Sequence, residues 1–377
     1  MRNKTISQIN NDGLRTWIEI DRKAIKHNYK IFRSLIKKDC QLMAVVKSNA
    51  YGHSLLNFSK EMEKLGADWL GVDSIVEAEA LRKEKIKTPI LVLGHTLAKK
   101  ISTAAKNNIS LTISNFEGLN SLLKINKPIK IHLKTDTGMH RQGFFIPELK
   151  KVAQILKGKK NIKVEGMYTH FSSAKNPAFP HETLKQISQF KEAIKILETA
   201  SFNPIKHAAA TSGAINFPQS HFGMVRIGIG LFGMWPSKET REAFKDKIKL
   251  KPILLWKTVI SEIKNLPKAS RIGYDLTETI NRNSRIAVLP VGYWHGYPRA
   301  LSSIGWVLIK GKKAKILGRI SMDMAIVDIT DIKNAKIGDE AILIGGKITA
   351  DDLAYLADTI NYEITTRINP LIKRVYI

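Results

Sequence analysis

An apolar run, Met43-Ala-Val-Val46, ends at Lys47 and is followed at once by small and turn-forming residues, Ser48-Asn-Ala-Tyr-Gly-His53. At the C-terminal end of a strand in a parallel α/β barrel, a lysine faces a partly desolvated mouth. There its pKa falls and its amine becomes a nucleophile suited to Schiff-base chemistry. Position alone is weak support in so lysine-rich a chain, but four more segments end strands in the same way. Lys134-Thr-Asp-Thr-Gly-Met-His-Arg-Gln-Gly143 is a polar, glycine-containing loop, and Tyr168-Thr-His-Phe171 sets a histidine at a strand end. His207-Ala-Ala-Ala-Thr-Ser-Gly213 closes a small-residue strand with two hydroxyls, and Phe222-Gly-Met-Val-Arg-Ile-Gly-Ile-Gly230 adds an arginine and two close glycines. Glycines let backbone N–H groups approach an anion, so Thr211, Ser212 and Gly228-Ile-Gly230 could form a phosphate cup. Each segment has a plain reading, since a Ser/Thr pair usually caps a helix. Five of them together argue for a site.

These segments must be held by a regular scaffold. Strand candidates fall at 41–46, 69–72, 90–93, 110–113, 129–133, 164–169, 207–209 and 224–228. Amphipathic stretches with apolar residues three and four apart lie between most of them, at 24–36, 55–65, 74–83, 147–157 and 182–199. Eight strands with intervening helices predict an α/β fold with an N-terminal (β/α)8 TIM-like barrel over residues 22–248, an open doubly wound sheet being the alternative. The texture then changes to a C-terminal mainly β domain, residues 249–377. Strands are expected at 254–263, 284–290, 306–309, 313–320, 324–328 and 340–344, then a helix at 349–359 and a final strand at 363–368. The N-terminal strand, within 14–21, is expected to join this second domain.

The chain has 377 residues, 61 Lys+Arg against 33 Asp+Glu, and a formal net charge of +28. Residues 1–248 carry net +20 and residues 249–377 net +8, so the positive charge is spread rather than grouped. No basic run has interleaved aromatics, which argues for a solvated lysine surface and against nucleic acid. The single cysteine, Cys40, excludes an intramolecular disulfide and any multi-cysteine metal site. No histidine pair has ligand spacing, so no metal is expected. The polar stretch Met1–Gly13 lacks the apolar segment of a secretory signal, and no apolar run approaches membrane-span length. A cytoplasmic protein without membrane contact is the expectation.

From Thr16-Trp-Ile-Glu-Ile-Asp21 to Arg374-Val-Tyr376 the sequence resembles the alanine racemases, pyridoxal 5′-phosphate (PLP) enzymes of fold type III. Ala44-Val-Val-Lys-Ser-Asn-Ala-Tyr-Gly-His53 is similar to the family's cofactor-lysine signature. Pro290-Val-Gly-Tyr293, Gly318-Arg-Ile-Ser-Met-Asp323 and Asn361-Tyr-Glu363 resemble its C-terminal motifs. The resemblance implies that Lys47 holds the cofactor and serves as one catalytic base. Tyr274 would be the opposite base, entering from the partner subunit of a homodimer with shared active sites. It also implies that Arg226 faces the pyridine nitrogen, that Tyr51, Thr211, Ser212, Gly228 and Ile229 surround the cofactor, and that His170 links Arg226 to Tyr274. Arg141 and Met322 of the partner subunit would contact the substrate carboxylate. Lys134 stands where some members carry a carbamylated lysine, and Tyr293 and Asp323 match positions at the site mouth.

The chemistry accounts for these residue types. Racemising L- and D-alanine needs a proton removed on one face and delivered on the other, which two opposed groups supply. Neither lysine nor tyrosine is a good base at its reference pKa of about 10, so burial and nearby positive charge must lower it. A permanently protonated arginine at the ring nitrogen would limit transamination. His295 stands where an acid is common, and Thr211, Phe232 and Pro370 also depart from the family's pattern. The implied role is D-alanine supply for peptidoglycan. A broad-specificity racemase on the same fold and a non-catalytic PLP carrier are the alternatives.

Overall fold

Alternation of apolar residues every second position builds strands, and the closing of those strands on one another sets everything that follows. In the computed structural model, which describes residues 13–377, Thr16–Ile20 (β1) precedes a helix over Arg22–Leu35. Eight parallel strands then alternate with helices: Gln41–Val45 (β2), Trp69–Val72 (β3), Ile90–Val92 (β4), Ser110–Ile113 (β5), Ile129–Lys134 (β6), Ile162–Tyr168 (β7), Ile205–Ala210 (β8) and Met224–Ile227 (β9). β9 pairs with β2, Met43 opposite Arg226, and the barrel closes. That pairing removes the open-sheet alternative. Residues before Gly13, including most of the polar stretch read at Met1–Gly13, lie outside the described residues.

The chain divides into two compact units. One is Arg22–Pro252, and the other joins the described residues through Asp21 to Ile253–Ile377. Within the barrel unit, helices form where the apolar spacing demands them. Arg22–Leu35 buries Ala24, Ile25, Tyr29 and Phe32 on one face, and Leu55–Leu65 buries Phe58 and Met62. Helices over Ala98–Lys106 and Phe116–Leu123, which the periodicity had not marked, fill the crossovers after β4 and β5. Met43, Trp69, Leu91 and Met224 pack together as a buried cluster.

In the second unit, β1 pairs antiparallel with Leu254–Val259 and parallel with Arg374–Tyr376, within a nine-stranded sheet. The strand expected over 254–263 is two, Leu254–Val259 and Glu262–Leu266. The chain changes partner there: the first pairs with Glu340–Ile344 and the second with Ser284–Leu289. The strand expected at 363–368 is instead a helix, Asn361–Thr366, and the last strand is Arg374–Tyr376. Ile364 and Ile368 are both buried and four apart, a spacing that fits period 2 and period 3.6 equally. The helix over Ala350–Leu356 starts as expected, with Thr349 Oγ1 accepting from the Asp352 N–H at 3.1 Å. Among the described residues no helix is long and apolar enough to cross a membrane.

One contact ties the first barrel helix to the glycine loop after β9. A Cβ on Gly230 would lie 2.2 Å from Phe32 Cζ, so the ring occupies the volume that glycine leaves. Phe32 is fully buried. Phe32→Ala should therefore cost about 3–5 kcal/mol of unfolding free energy in urea, with an unchanged m-value. A loss below about 1 kcal/mol would show that the loop does not depend on this contact.

Candidate active site

Side chains alternate along a strand, so residues two apart share a face. Met43 and Lys47 on β2 and its end, His132 and Lys134 on β6, Tyr168 and His170 on β7 and its end, and Arg226 and Gly228 on β9 and its end all fall on such inward positions. Contacts confirm the grouping. His132 Nδ1 and His207 Nε2 are 2.9 Å apart, Arg226 Nη1 donates to His207 Nδ1 at 3.0 Å, and the guanidinium lies 5.1 Å from the Tyr168 ring centre. The Lys134 amine lies 5.3 Å from the same ring centre.

Lys47 opens a turn with an uncommon backbone. Ser48, Asn49, Ala50 and Tyr51 all have φ of 52–55°, a left-handed run with no glycine until Gly52. Such a conformation costs roughly 1–2 kcal/mol per residue and needs support from its surroundings. Glu77 supplies some of it: its carboxylate accepts from the Asn49 N–H at 3.3 Å and the Asp73 N–H at 2.9 Å. Asn49 Oδ1 accepts from the Leu55 N–H at 2.8 Å. The turn folds Tyr51 back toward the barrel, where a Cβ on Gly228 would stand 2.5 Å from its hydroxyl. Burial pushes that phenol up to about 12. The Lys47 amine lies 3.7 Å from an Asp73 carboxylate oxygen.

Arg226 is buried, and all its hydrogen bonds go to neutral acceptors. Nη2 donates to Thr169 O at 2.8 Å, Ala208 O at 2.9 Å and His170 Nδ1 at 3.2 Å, besides the Nη1 bond to His207. Desolvation lowers the guanidinium to about 10, with no carboxylate beside it. Desolvation, with Arg226, Arg141, Lys134 and Lys47 adding their fields, holds His170 down at about 3. Burial, then Arg141 and Arg226, brings Lys134 to about 8. A net positive mouth of this kind suits a phosphate and a carboxylate.

The structure refines several expectations. Lys134 donates to Gln142 Oε1 at 3.0 Å. Asp136 Oδ1 accepts from the N–H groups of Gly138, Met139 and His140, which shapes the loop. Thr211 opens a short helix, Thr211–Asn216, and its hydroxyl accepts from the Gly228 N–H at 3.1 Å, so that amide is used inside the loop. Ser212 follows Thr211 in that helix, Ile229 is buried, and Arg141 is exposed. Tyr274, Tyr293, Met322 and Asp323 lie in the other unit. There the Tyr293 N–H donates to Ser321 O at 3.1 Å and the Trp294 N–H to Met322 O at 3.0 Å, which joins the two turns carrying Tyr293, Met322 and Asp323. Tyr274 is 69% exposed, and its neighbour Asp275 pairs with Arg319. His132, Glu77 and Gln142 were missed by sequence reasoning. A histidine at an inward position of a buried strand was the available signal for His132.

His132, His170 and His207 all have pKa values held well below the ordinary 6.5, chiefly by desolvation. Unfolded, each would take a proton as pH falls through about 6.5, whereas the folded protein stays neutral at these sites until far lower pH. Stability is thus fully present above about 6.5 and falls with acid, by about 1.4 kcal/mol per pH unit for each histidine. Urea unfolding between pH 7 and pH 5 should show this slope, and His207→Gln should make it shallower by one proton. An unchanged slope would contradict a neutral buried His207.

Residues 20–236 match the family model "Alanine racemase, N-terminal domain", and residues 253–376 match "Alanine racemase, C-terminal domain". The chain is 39% identical over 372 residues to an alanine racemase of Methanococcus maripaludis, covering 96% of this chain and 98% of that one. It is 38% identical over 377 residues to one from Leptospira interrogans, with 97% of each covered. Among solved structures, an alanine racemase of Clostridium difficile superposes with TM-score 0.92 at 33% identity, covering 97% of this chain and 96% of that one. One from Bacillus anthracis with bound L-Ala-P gives 0.91 at 34%, covering 96% and 95%. On matches that run through both units, the chain belongs to the alanine racemase family.

Proposed function

We propose that this chain interconverts L- and D-alanine by a two-base mechanism, with PLP held at the mouth of the barrel. The observation that carries the reading is the cationic mouth, with Arg226 buried and lacking any carboxylate partner. A buried cation without a counter-charge is costly unless an electron-rich group meets it. The family depends on PLP, whose ring nitrogen and phosphate fit that requirement. The glycine at 228, where a Cβ would strike the Tyr51 hydroxyl, leaves a close-approach surface for the phosphate. When bound, the cofactor acts as an electron sink that acidifies the substrate Cα–H.

The protein's own groups do the rest. Lys47 anchors the cofactor and, once released, moves a proton at one face of Cα. Tyr274 works at the other face. Because Arg226 donates to His170 Nδ1, the neutral imidazole must carry its proton on Nε2. That N–H is the donor we assign to the Tyr274 oxygen, stabilising it after it gives up its proton. Tyr51, Thr211, Ser212, Gly228 and Ile229 form the cofactor cradle. Arg141, with Met322, receives the substrate carboxylate, and Lys134 supports Arg141. Tyr293 and Asp323 border the way in.

Exposure of Tyr274 and Met322 in the second unit supports a homodimer in which each site takes these residues from the partner. Supplying D-alanine to cell-wall synthesis is the role we assign. The purified protein should be yellow and should racemise L-alanine. Lys47→Ala and Tyr274→Phe should each lose about 10²–10⁴ in kcat. Mixing the two inactive forms under subunit exchange should restore about a quarter of the wild-type sites if each site is shared. A mixture that stays inactive would refute sharing, and a colourless wild type would refute the cofactor. Racemisation of serine, lysine or arginine as fast as alanine would favour the broad-specificity reading.

Arg226 has a separate test. Its permanent charge opposes protonation of the pyridine nitrogen and so keeps the reaction from drifting into transamination. Arg226→Glu should raise pyruvate formation per racemisation event by at least tenfold, on the order of a 1.4 kcal/mol change in partition. An unchanged ratio would count against this role.

A further inference from the structure

Below the mouth, the barrel holds a row of polar groups to which no role has yet been given. His132 and His207 are both fully buried, and the edge of the Trp69 indole meets the His132 ring. His132 occupies its place only because residue 166 is glycine: a Cβ there would lie 2.2 Å from His132 Nδ1. Between β6 and β7 the register shifts. Ile131 pairs with Val164 but His132 with Gly166, which leaves Glu165 as the extra residue of a bulge. Bulges re-aim side chains, and the Glu165 side chain is 12% exposed, with Oε2 4.0 Å from His132 Nε2 and Oε1 3.9 Å from Lys130 Nζ and 3.5 Å from Lys163 Nζ. Ser110 Oγ donates to Oε2 at 2.8 Å, which holds it there.

Each hydrogen bond in the row has a single direction. A guanidinium only donates, so His207 Nδ1 accepts from Arg226, and a neutral His207 must carry its proton on Nε2. That N–H points at His132 Nδ1, which accepts, so His132 also carries its proton on Nε2. The His132 N–H then faces the Glu165 oxygen across 4.0 Å, beyond hydrogen-bond distance, and has no hydrogen-bond partner of its own among the described residues. Both hydrogen bonds of the row, Arg226 to His207 and His207 to His132, therefore run away from the cation.

We infer that His132 and His207 form a directed hydrogen-bonded pair across the barrel interior that fixes both imidazole tautomers and positions Arg226 from beneath, with the Glu165 carboxylate acting on its far end through its charge. Glu165 and His132 are positioning residues, acting on the reaction only through Arg226. The consequence for turnover rests on the function proposed above, whereas the tautomers do not.

Long-range ¹H–¹⁵N correlation of the imidazoles in the full chain without cofactor tests the pair directly, the 10 histidines being few enough to assign by substitution. His132 and His207 should each show one proton, on Nε2, from pH 5 to pH 8. A proton on Nδ1 of either ring, or a doubly protonated ring, overturns the inference whether or not the protein is a racemase. In the holoenzyme, His132→Leu removes the acceptor and should lower kcat at least tenfold with KM for alanine changed less than twofold. His132→Asn, which keeps an acceptor near the Nδ1 position, should recover most of that loss. Glu165→Gln should shift the His132 Nε2–H resonance and lower kcat three- to tenfold. If His132→Asn is as impaired as His132→Leu, or Glu165→Gln leaves both the resonance and kcat unchanged, the row has no positioning role.

Discussion

A guanidinium buried among neutral acceptors is the constraint on which the site depends. Arg226 gives up hydration and receives in return two backbone carbonyls and two imidazoles, none of them charged. Hydrogen bonds to a charged donor offset part of the desolvation but leave its field uncancelled. Burial first, and that field second, lower His170, His132 and His207, so three histidines stay neutral where a solvent-exposed one would titrate. Neutral imidazoles can accept on one side and donate on the other, which is how the position of one cation sets the direction of the bonds around it.

Barrel closure is what makes this arrangement possible. β8 and β9 set His207 and Arg226 side by side, and β6 and β7 bring His132 and Tyr168 to meet them. Period-2 alternation then carries the same faces up to Lys47, His170 and Gly228 at the mouth. Two of the chain's departures from regular geometry are the left-handed turn after Lys47 and the bulge at Glu165. Both lie where a side chain must be aimed against the local pleat. Glu77 clamps the first of these, and Ser110 holds the carboxylate at the second.

Much of this was legible in the residues. The eight barrel strands could be placed because turn residues follow short apolar runs, and Lys47, His170, Thr211 and Arg226 were found as polar residues at the ends of those runs. Other features needed coordinates. Ile364 and Ile368, four apart, satisfy strand and helix periods alike, so only packing could decide between them. The left-handed backbone at Ser48-Asn-Ala-Tyr51 has no glycine to announce it. His132 lies inside an apolar run that reads as core, and a bulge is a matter of register between two strands, which no single strand reveals.

Positive charge serves this protein in two ways. Across the chain the +28 is surface lysine spread over both units, where water screens it. At the barrel mouth, burial of the His170 imidazole comes first, and four cations add their fields to it through a partly desolvated interior. Removing a surface lysine therefore leaves the site's field nearly intact, whereas shifting Arg226 by the width of one lost acceptor changes the potential at every group around it. The environment of Arg226 thus extends down the barrel, through His207 and His132 to Gly166, whose missing Cβ leaves the His132 ring its place.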